Sequence, residues 1–473
     1  MGTRVQAWST IRPFPRAVQA CLLLLVLISS QFSAAETQNR LVMRNSLGLT
    51  GILNVCKLLG CSSVEAIGDP GGQLFLVQTA SVVDSRLLLV LKPLGLVSVE
   101  PDQWAATQDE WVATQGATVT SIPPYLNDRT PITYYGATVW RGYVYQPANQ
   151  LIQTDSMHSI FGAAGSGVTV AVIDTGVDPN HPALKSSVVT GYDFTRNQSG
   201  GSEMADVSQS TSAVLDSSNR WAAEVSQSTA AVLDQSTAAV LDGQQYQAFG
   251  HGTMVSGIVH LVAPQAKIMP LKAFYADGSG YNSDILRAIY YAASHGAKVI
   301  NMSFNYTTYS QELANAVNYA TANGMIPIAA AGNSGQQVTV YPAALKGVVD
   351  VASTSLNDQP STFSNYGAPP VWLAAPGEAI MTTYPFGTYA AGWGTSFSAP
   401  FVSGTAAVIA SVYQVQASTS GSVLGLTAGA AAGEPQAANA LSHAQYISAP
   451  ELGHGRLDTY QAVEAFRTYL GFH

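Results

Sequence analysis

Charge is scarce in this chain of 473 residues. Asp, Glu, Lys and Arg together make up 10 % of it, against roughly 25 % in ordinary soluble domains. What charge there is leans acidic, with 29 acidic against 20 basic residues and a net −9. That argues against the basic face a nucleic-acid partner demands. Cysteine is nearly absent, with three in all, which excludes a disulfide-dense scaffold and leaves no zinc-site spacing. Beyond residue 35 no stretch reaches about 18 uninterrupted apolar residues, so no membrane span is expected there. Hydrophobic residues, at 47 %, are plentiful enough for a sizeable core.

The N-terminus points to a compartment. Arg4, Arg12 and Arg16 precede the apolar run CLLLLVLI (Cys21 to Ile28), and Ser33-Ala34-Ala35 offers small residues for cleavage. A basic region, a short apolar core and a small-residue site together read as a secretory signal peptide over 1–35, too short to span a bilayer. An uncleaved anchor is the alternative. Cleavage would remove three Arg and no acid, leaving 17 basic against 29 acidic residues, or −12. The protein is expected to be secreted, extracellular or periplasmic. Cys56 and Cys61 would remain, and they are read as two buried thiols on one helix rather than as a small disulfide.

Residues 36–102 read as a small α/β unit. Strands are expected at Arg40–Arg44, Gln73–Thr79 and Gly95–Asp102, with helices over Leu47–Leu59 and Val82–Leu91. Residues 103–150, with Pro123-Pro124 and scattered Trp and Tyr, read as an extended linker. From 151 to 473 strand and helix patterns alternate. Val168–Ile173 is a continuous β-branched apolar run suited to a strand buried on both faces. Further strands are expected at Ile268–Ala273, Lys298–Met302, Met325–Ala330 and Val348–Ala352. Helices are expected from His251, from Ser283, over Leu313–Ala320, and from Ser396. Such alternation implies a parallel sheet with helices on both faces, and ligands then bind beyond the carboxyl ends of its strands. Asp174 sits at such an end. QSTSAVLD (209–216) and two copies of QSTAAVLD (227–234, 235–242) interrupt the pattern. They read as a duplicated surface insert over about 202–243. A second soft stretch, 416–439, reads as a surface loop.

Three motifs carry chemistry: VIDTGVDPNHP around Asp174, GHGTMVSG at His251 and GTSFSAPFVSG around Ser396. An acid, a base and a hydroxyl in Gly-flanked settings are the parts of nucleophilic acyl transfer. A serine hydroxyl needs a base. An imidazole, with an ordinary value near 6.5, suits proton shuttling near neutrality. Placed at a helix start, Ser396 would add the helix dipole and its own N–H to a developing oxyanion. Pro400 is compatible with the first turn of that helix. Asp178 and His181 are the rival acid and base; Asp178 is read instead as stabilising the following turn, and His181 as structural.

The order Asp, His, Ser is that of subtilisin, and the chain resembles a subtilisin-like serine endopeptidase, or subtilase. The resemblance covers 151–473 firmly and 40–102 loosely. It implies a subtilisin-like doubly wound parallel sheet with helices on both faces, preceded by a small α/β pro-domain. It implies Ser396 as nucleophile, His251 as base and then acid, Asp174 as its orienter, and Asn333 of AAAGNSG as oxyanion donor. Ser303, Phe304, Asn305 and Gly332 would line the substrate groove, with Asn305 departing from the family's usual Gly. Phe397 stands where Met is common. The 36–102 unit is similar to the inhibitor-type pro-region, which assists folding and inhibits until removed. Expected partners are protein or peptide substrates and the chain's own pro-domain, with no nucleic acid, no membrane after signal cleavage, and a monomeric state. No cofactor is expected for catalysis. The usual strong calcium loop is expected to be missing, since GHGTMVSGIVHLVAP runs through without an insert and Ala183 follows His181-Pro182.

Overall fold

The structure, a computed structural model, describes residues 37–106, 123–206, 231–232, 248–367, 371–419 and 430–471. The segment read as a signal peptide lies outside the described residues, as do the first and third repeats and most of the second. The described chain divides into two compact units at Asp102/Gln103.

In the first unit a four-stranded antiparallel sheet has the order β2-β3-β1-β4. Its strands are β1 (Thr37–Asn45), β2 (Cys61–Ala66), β3 (Leu74–Asp84) and β4 (Leu96–Pro101). Leu41 and Met43, two apart, share one face with Phe75 and Val77, and all four pack with Ile52 and Val55 of α1 (Gly48–Leu59). The period-2 and period-3.6 faces thus meet in one small core. Two expectations need correction. Gly60 ends α1 in the left-handed conformation (φ 67°), so Cys61 leaves the helix and begins β2. Cys56 and Cys61 come within 5.0 Å (Cα–Cα) and form a disulfide. The expected helix over 82–91 is also different. Val83 continues the β3 ladder opposite Gln38, and a 3₁₀ stretch with Pro93 inside it follows over Ser85–Leu94.

The second unit is built on an eight-stranded sheet. Its strands are β8 (Thr169–Asp174), β9 (Gly191–Asp193), β10 (Gln198–Gly200), β12 (Lys267–Lys272), β14 (Val299–Met302), β15 (Ile326–Ala330), β16 (Val349–Thr354) and β17 (Leu373–Pro376). The order is β10-β9-β12-β8-β14-β15-β16-β17, parallel except for β10 against β9. β8 lies between β12 on one side and β14 on the other, so the chain switches direction there and opens a crevice at the carboxyl ends. Asp174 pairs with Lys272, and Ile173 with Met302, at that rim.

Residues 123–150, expected to be extended, fold with this unit. Their aromatic residues anchor them. Tyr143 is fully buried and donates to the Gly257 carbonyl at 2.6 Å. The stretch holds a hairpin of β6 (Pro131–Tyr134) and β7 (Ala137–Trp140) and short helices α2 (Arg141–Val144) and α3 (Pro147–Leu151). Upstream, β5 (Trp104–Ala106) pairs antiparallel with β13 (Ser279–Tyr281).

Among the described residues seven further α-helices follow: α4 (Thr154–Phe161), α5 (His251–Val262), α6 (Asn282–Ser294), α7 (Gln311–Ala322), α8 (Thr395–Thr419), α9 (Ala430–Leu441) and α10 (Thr459–Tyr469). α6 begins one residue before the expected cap, whereas α7 is capped by Ser310 accepting from the Leu313 N–H. α8 is apolar all round and sits in the core, 94 % of its most hydrophobic stretch being buried. Of the surface loop expected at 416–439, residues 416–419 end α8 and 430–439 lie in α9, where Ala437, Ala440 and Leu441 are buried, while 420–429 lie outside the described residues. A three-stranded antiparallel sheet of β11 (Ala231–Val232), β19 (Thr388–Gly392) and β18 (Ile380–Tyr384) lies alongside. Its β11 is part of the second repeat.

Candidate active site

Two glycines bring acid and base together. A Cβ at Gly252 would fall 2.0 Å from the Gly176 carbonyl oxygen, and one at Gly250 (φ 91°) would fall 2.3 Å from the Tyr384 ring. Only glycine lets the start of α5 seat this closely against the turn after β8. His251 is then buried with its Nδ1 2.8 Å from Asp174 Oδ1. The same oxygen accepts the Thr175 N–H at 2.7 Å. A carboxylate oxygen can only accept, so Nδ1 carries the proton and Nε2 is the basic nitrogen. Nε2 is buried and bonds to no protein group among the described residues.

Ser396 is the second residue of α8 and is buried. Its hydroxyl donates to the Ser303 carbonyl at 3.3 Å rather than to His251. The His251 ring lies 5.7 Å from that of Phe397, the next residue. The backbone at Ser396 has a specific support. Pro400 stands at the sixth helical position, beyond the expected first turn, because the helix starts at Thr395. Having no N–H, Pro400 cannot bond the Ser396 carbonyl four residues back. Ser303 Oγ donates to that carbonyl instead, at 3.0 Å, while accepting from Asn301 Nδ2 at 2.9 Å.

Asn333 is fixed through its oxygen, which accepts from the Thr395 N–H at 2.8 Å and the Thr395 hydroxyl at 2.9 Å. Asn333 is thereby tied to the residue before Ser396. Gly332 adopts φ 95° and gives its N–H to the same Thr395 hydroxyl at 3.1 Å.

The expected groove residues divide. The Ser303 side chain is committed to the Ser396 carbonyl. Phe304 is buried against Phe274, their ring centroids 4.9 Å apart. Asn305 is half-buried. Of the rivals, Asp178 accepts the Asn180 and Phe386 N–H groups. His181 donates from Nε2 to the Thr388 carbonyl while its Nδ1 accepts the Ala183 N–H. Both are bound into turns, as expected.

The family's sequence model, described as the subtilase family of peptidase S8, matches residues 165–442. The chain belongs to the subtilase family. It is 38 % identical to thermitase of Thermoactinomyces vulgaris over 259 residues, covering 53 % of this chain and 77 % of that protein. It is 33 % identical to subtilisin BL of Lederbergia lenta over 267 residues, covering 54 % and 81 %. Among solved structures the fold is shared with fervidolysin of Fervidobacterium pennivorans, described as a keratinolytic enzyme related to subtilisin. That match has a TM-score of 0.64 at 20 % identity over 92 % of this chain and 62 % of that one. A lanthipeptide protease matches with a TM-score of 0.52 at 25 % identity, over 68 % and 94 %. This subtilase is thus a subtilisin-like serine endopeptidase, a hydrolase of peptide bonds.

Subtilases need no cofactor for catalysis. α5 runs from His251 to Val262 without an inserted loop, and Ala183 is buried. Among the described residues no three His, Cys, Asp or Glu side chains are grouped to hold a metal ion.

Sequence reasoning missed two buried titratable side chains beside the Asp174–His251 contact. Lys272 is fully buried and donates to the carbonyls of Thr175 and Phe274 and to Asp206. Glu203, also fully buried, bonds groups on both sides of the Asp174–His251 contact. The one available signal was an acid in a Gly-rich turn (GGSEMAD) of a chain with few charges.

Proposed function

We propose that Ser396, His251, Asp174 and Asn333 carry out peptide hydrolysis through an acyl-enzyme. The observation that carries this reading is the 2.8 Å Nδ1–Asp174 bond, which leaves Nε2 as the base. On substrate binding the Ser396 hydroxyl exchanges the Ser303 carbonyl for Nε2, a tightening common on going from a free enzyme to its complex. Nε2 takes the proton as Oγ attacks the scissile carbonyl. The resulting oxyanion receives hydrogen bonds from Asn333 Nδ2 and the Ser396 N–H, which the start of α8 leaves without a helical acceptor. The imidazolium, stabilised by Asp174, then protonates the leaving amine, and water repeats the sequence to release the acid.

The precursor is secreted, with 36–102 as a pro-domain and temporary inhibitor. The pairing of Trp104–Ala106 with Ser279–Tyr281 supports this. An extended segment directly after that unit lies on β13 as an added strand, the mode by which peptides are bound along a sheet edge. Trp104 stacks on Tyr281 at 3.9 Å between centroids, and the Asn282 N–H donates to the Gln103 carbonyl at 2.8 Å. The maturation bond is assigned to the residues that follow Ala106. Labelling with a serine-directed fluorophosphonate tests the reading. Wild type is labelled and Ser396→Ala is not, whereas an unlabelled wild type that still binds peptides would mark a binding protein.

A further inference from the structure

We propose that Glu203 is a positioning residue, clamping the turn after Asp174 to the first turn of the helix that begins with His251. The proposal rests on the endopeptidase reading above. Glu203 lies on a short 3₁₀ turn, Glu203–Asp206, and has no accessible surface. Its Oε2 accepts the Thr175 hydroxyl at 3.2 Å and the Gly250 N–H at 2.8 Å, and its Oε1 accepts the Thr253 hydroxyl. Thr175 follows the acid, Gly250 precedes the base, and Thr253 lies two residues beyond it. One carboxyl therefore holds both halves of the dyad.

The direction of each bond is set by its surroundings. The Thr175 oxygen accepts the Gly252 N–H at 3.0 Å, and the Thr253 oxygen accepts the Asp178 N–H at 2.7 Å. Each hydroxyl keeps its own proton to give, so with Glu203 ionised all three neighbours donate to it. The other end of the same turn is fixed by Asp206, which accepts from Lys272 at 2.7 Å and pairs with Arg196. Lys272 in turn donates to the Thr175 carbonyl at 2.8 Å.

Burial pushes the Glu203 carboxyl up to about 8, opposed by its bonds to Thr253 and Gly250 and by Lys272. The charged and titratable groups around it are Asp174 on β8, His251 on α5, Lys272 on β12, Tyr384 on β18 and Asp206 on its own turn. In the acid form the carboxyl proton competes with three donors for two oxygens. Ionisation completes the clamp.

The test is kcat and KM against pH for the mature enzyme on an uncharged peptide substrate, comparing wild type with Glu203→Gln. Gln presents an NH₂ to at least one donor, and sub-ångström loosening of a reacting pair costs up to about 10²-fold. The expected result is a tenfold to hundredfold loss, about that order by the same reasoning, in kcat with KM little changed. Wild type should also show a rise near pH 8 that the variant lacks. A purely structural role would lower the melting temperature without removing that step. Equal kcat and an unchanged step in Glu203→Gln would overturn the proposal. Thr253→Val removes one donor and keeps the carboxyl. It should weaken kcat and move the step to higher pH, and an unmoved step there overturns the proposal even where Glu203→Gln is not recovered folded. Fluorophosphonate labelling of wild type separates this from failure of the endopeptidase reading, since a labelled wild type with an insensitive Glu203→Gln sinks the clamp alone.

Discussion

Asp174→Asn has an outcome that the local bonds constrain. The two donors at Asp174, the Thr175 N–H and His251 Nδ1–H, meet the same oxygen, Oδ1. An amide turned with its NH₂ there would face the Thr175 N–H whichever tautomer the imidazole took. The Asn oxygen must therefore take the Oδ1 place, and the imidazole keeps its tautomer. What is lost is the charge that stabilises the imidazolium. Opposite charges about 4 Å apart at an effective dielectric of about 20 attract by about 4 kcal/mol, or about 10³ in rate. The NH₂ goes to the Oδ2 place, which is buried with no protein partner among the described residues. Leaving it unsatisfied costs about 1–3 kcal/mol of stability. The variant precursor would be matured by trace wild-type enzyme and assayed on a chromogenic peptide. The account predicts kcat down by about 10³ with KM within a few-fold, together with a lower melting temperature. A loss below tenfold, or one as deep as that of Ser396→Ala, would refute the reasoning.

Asn333→Ala removes an oxyanion donor and should lower kcat by about 10²–10³ with little change in KM; retention of full kcat on a peptide amide would exclude the role. Ser303→Ala leaves the Ser396 carbonyl opposite Pro400 without its hydroxyl donor, at a cost of about 1–3 kcal/mol, so the melting temperature and kcat should fall together. Phe397 buries its ring beside His251 where a thioether would oxidise, so most activity should survive peroxide, and rapid loss to peroxide would count against this. Asp350 is fully buried, and burial raises its carboxyl to about 7 against the Val351 N–H. A group raised in the folded state contributes stability at pH below its unfolded value, and loses that contribution as pH rises through the folded one. The melting temperature should therefore decline from about pH 4 to 8, with Glu203 contributing in the same direction, and Asp350→Asn should make the decline shallower without abolishing it.

Five strands of the sheet, β8, β12, β14, β15 and β16, were legible because they are almost wholly buried and read as apolar runs, Val168–Ile173 most plainly, whereas the partly exposed β10 carries no such run. The meeting of Asp174 with His251 was legible because both sit in short motifs whose glycines local contacts demand, as Gly252 is by Gly176; the motifs of Ser396 and Asn333 marked them as candidates. Harder to read were features fixed by distant partners. The role of Tyr143 in binding residues 123–150 to the second unit depends on Gly257, more than a hundred residues away. The disulfide depends on where α1 stops, which Gly60 decides. The Ser303 hydroxyl is taken up by the helical carbonyl that Pro400 leaves open, a bond between residues far apart in the chain. Glu203 carries no motif at all. Its importance appears only when the fold brings Thr175, Gly250 and Thr253 around one carboxyl.

The central claim, that this chain cuts its own precursor with Ser396, is tested most directly by intact mass and N-terminal sequence of the secreted protein, wild type against Ser396→Ala. The account predicts a wild type beginning shortly after Ala106 and a mutant that keeps its pro-domain. Identical processing of the two, or no processing of either, would contradict it.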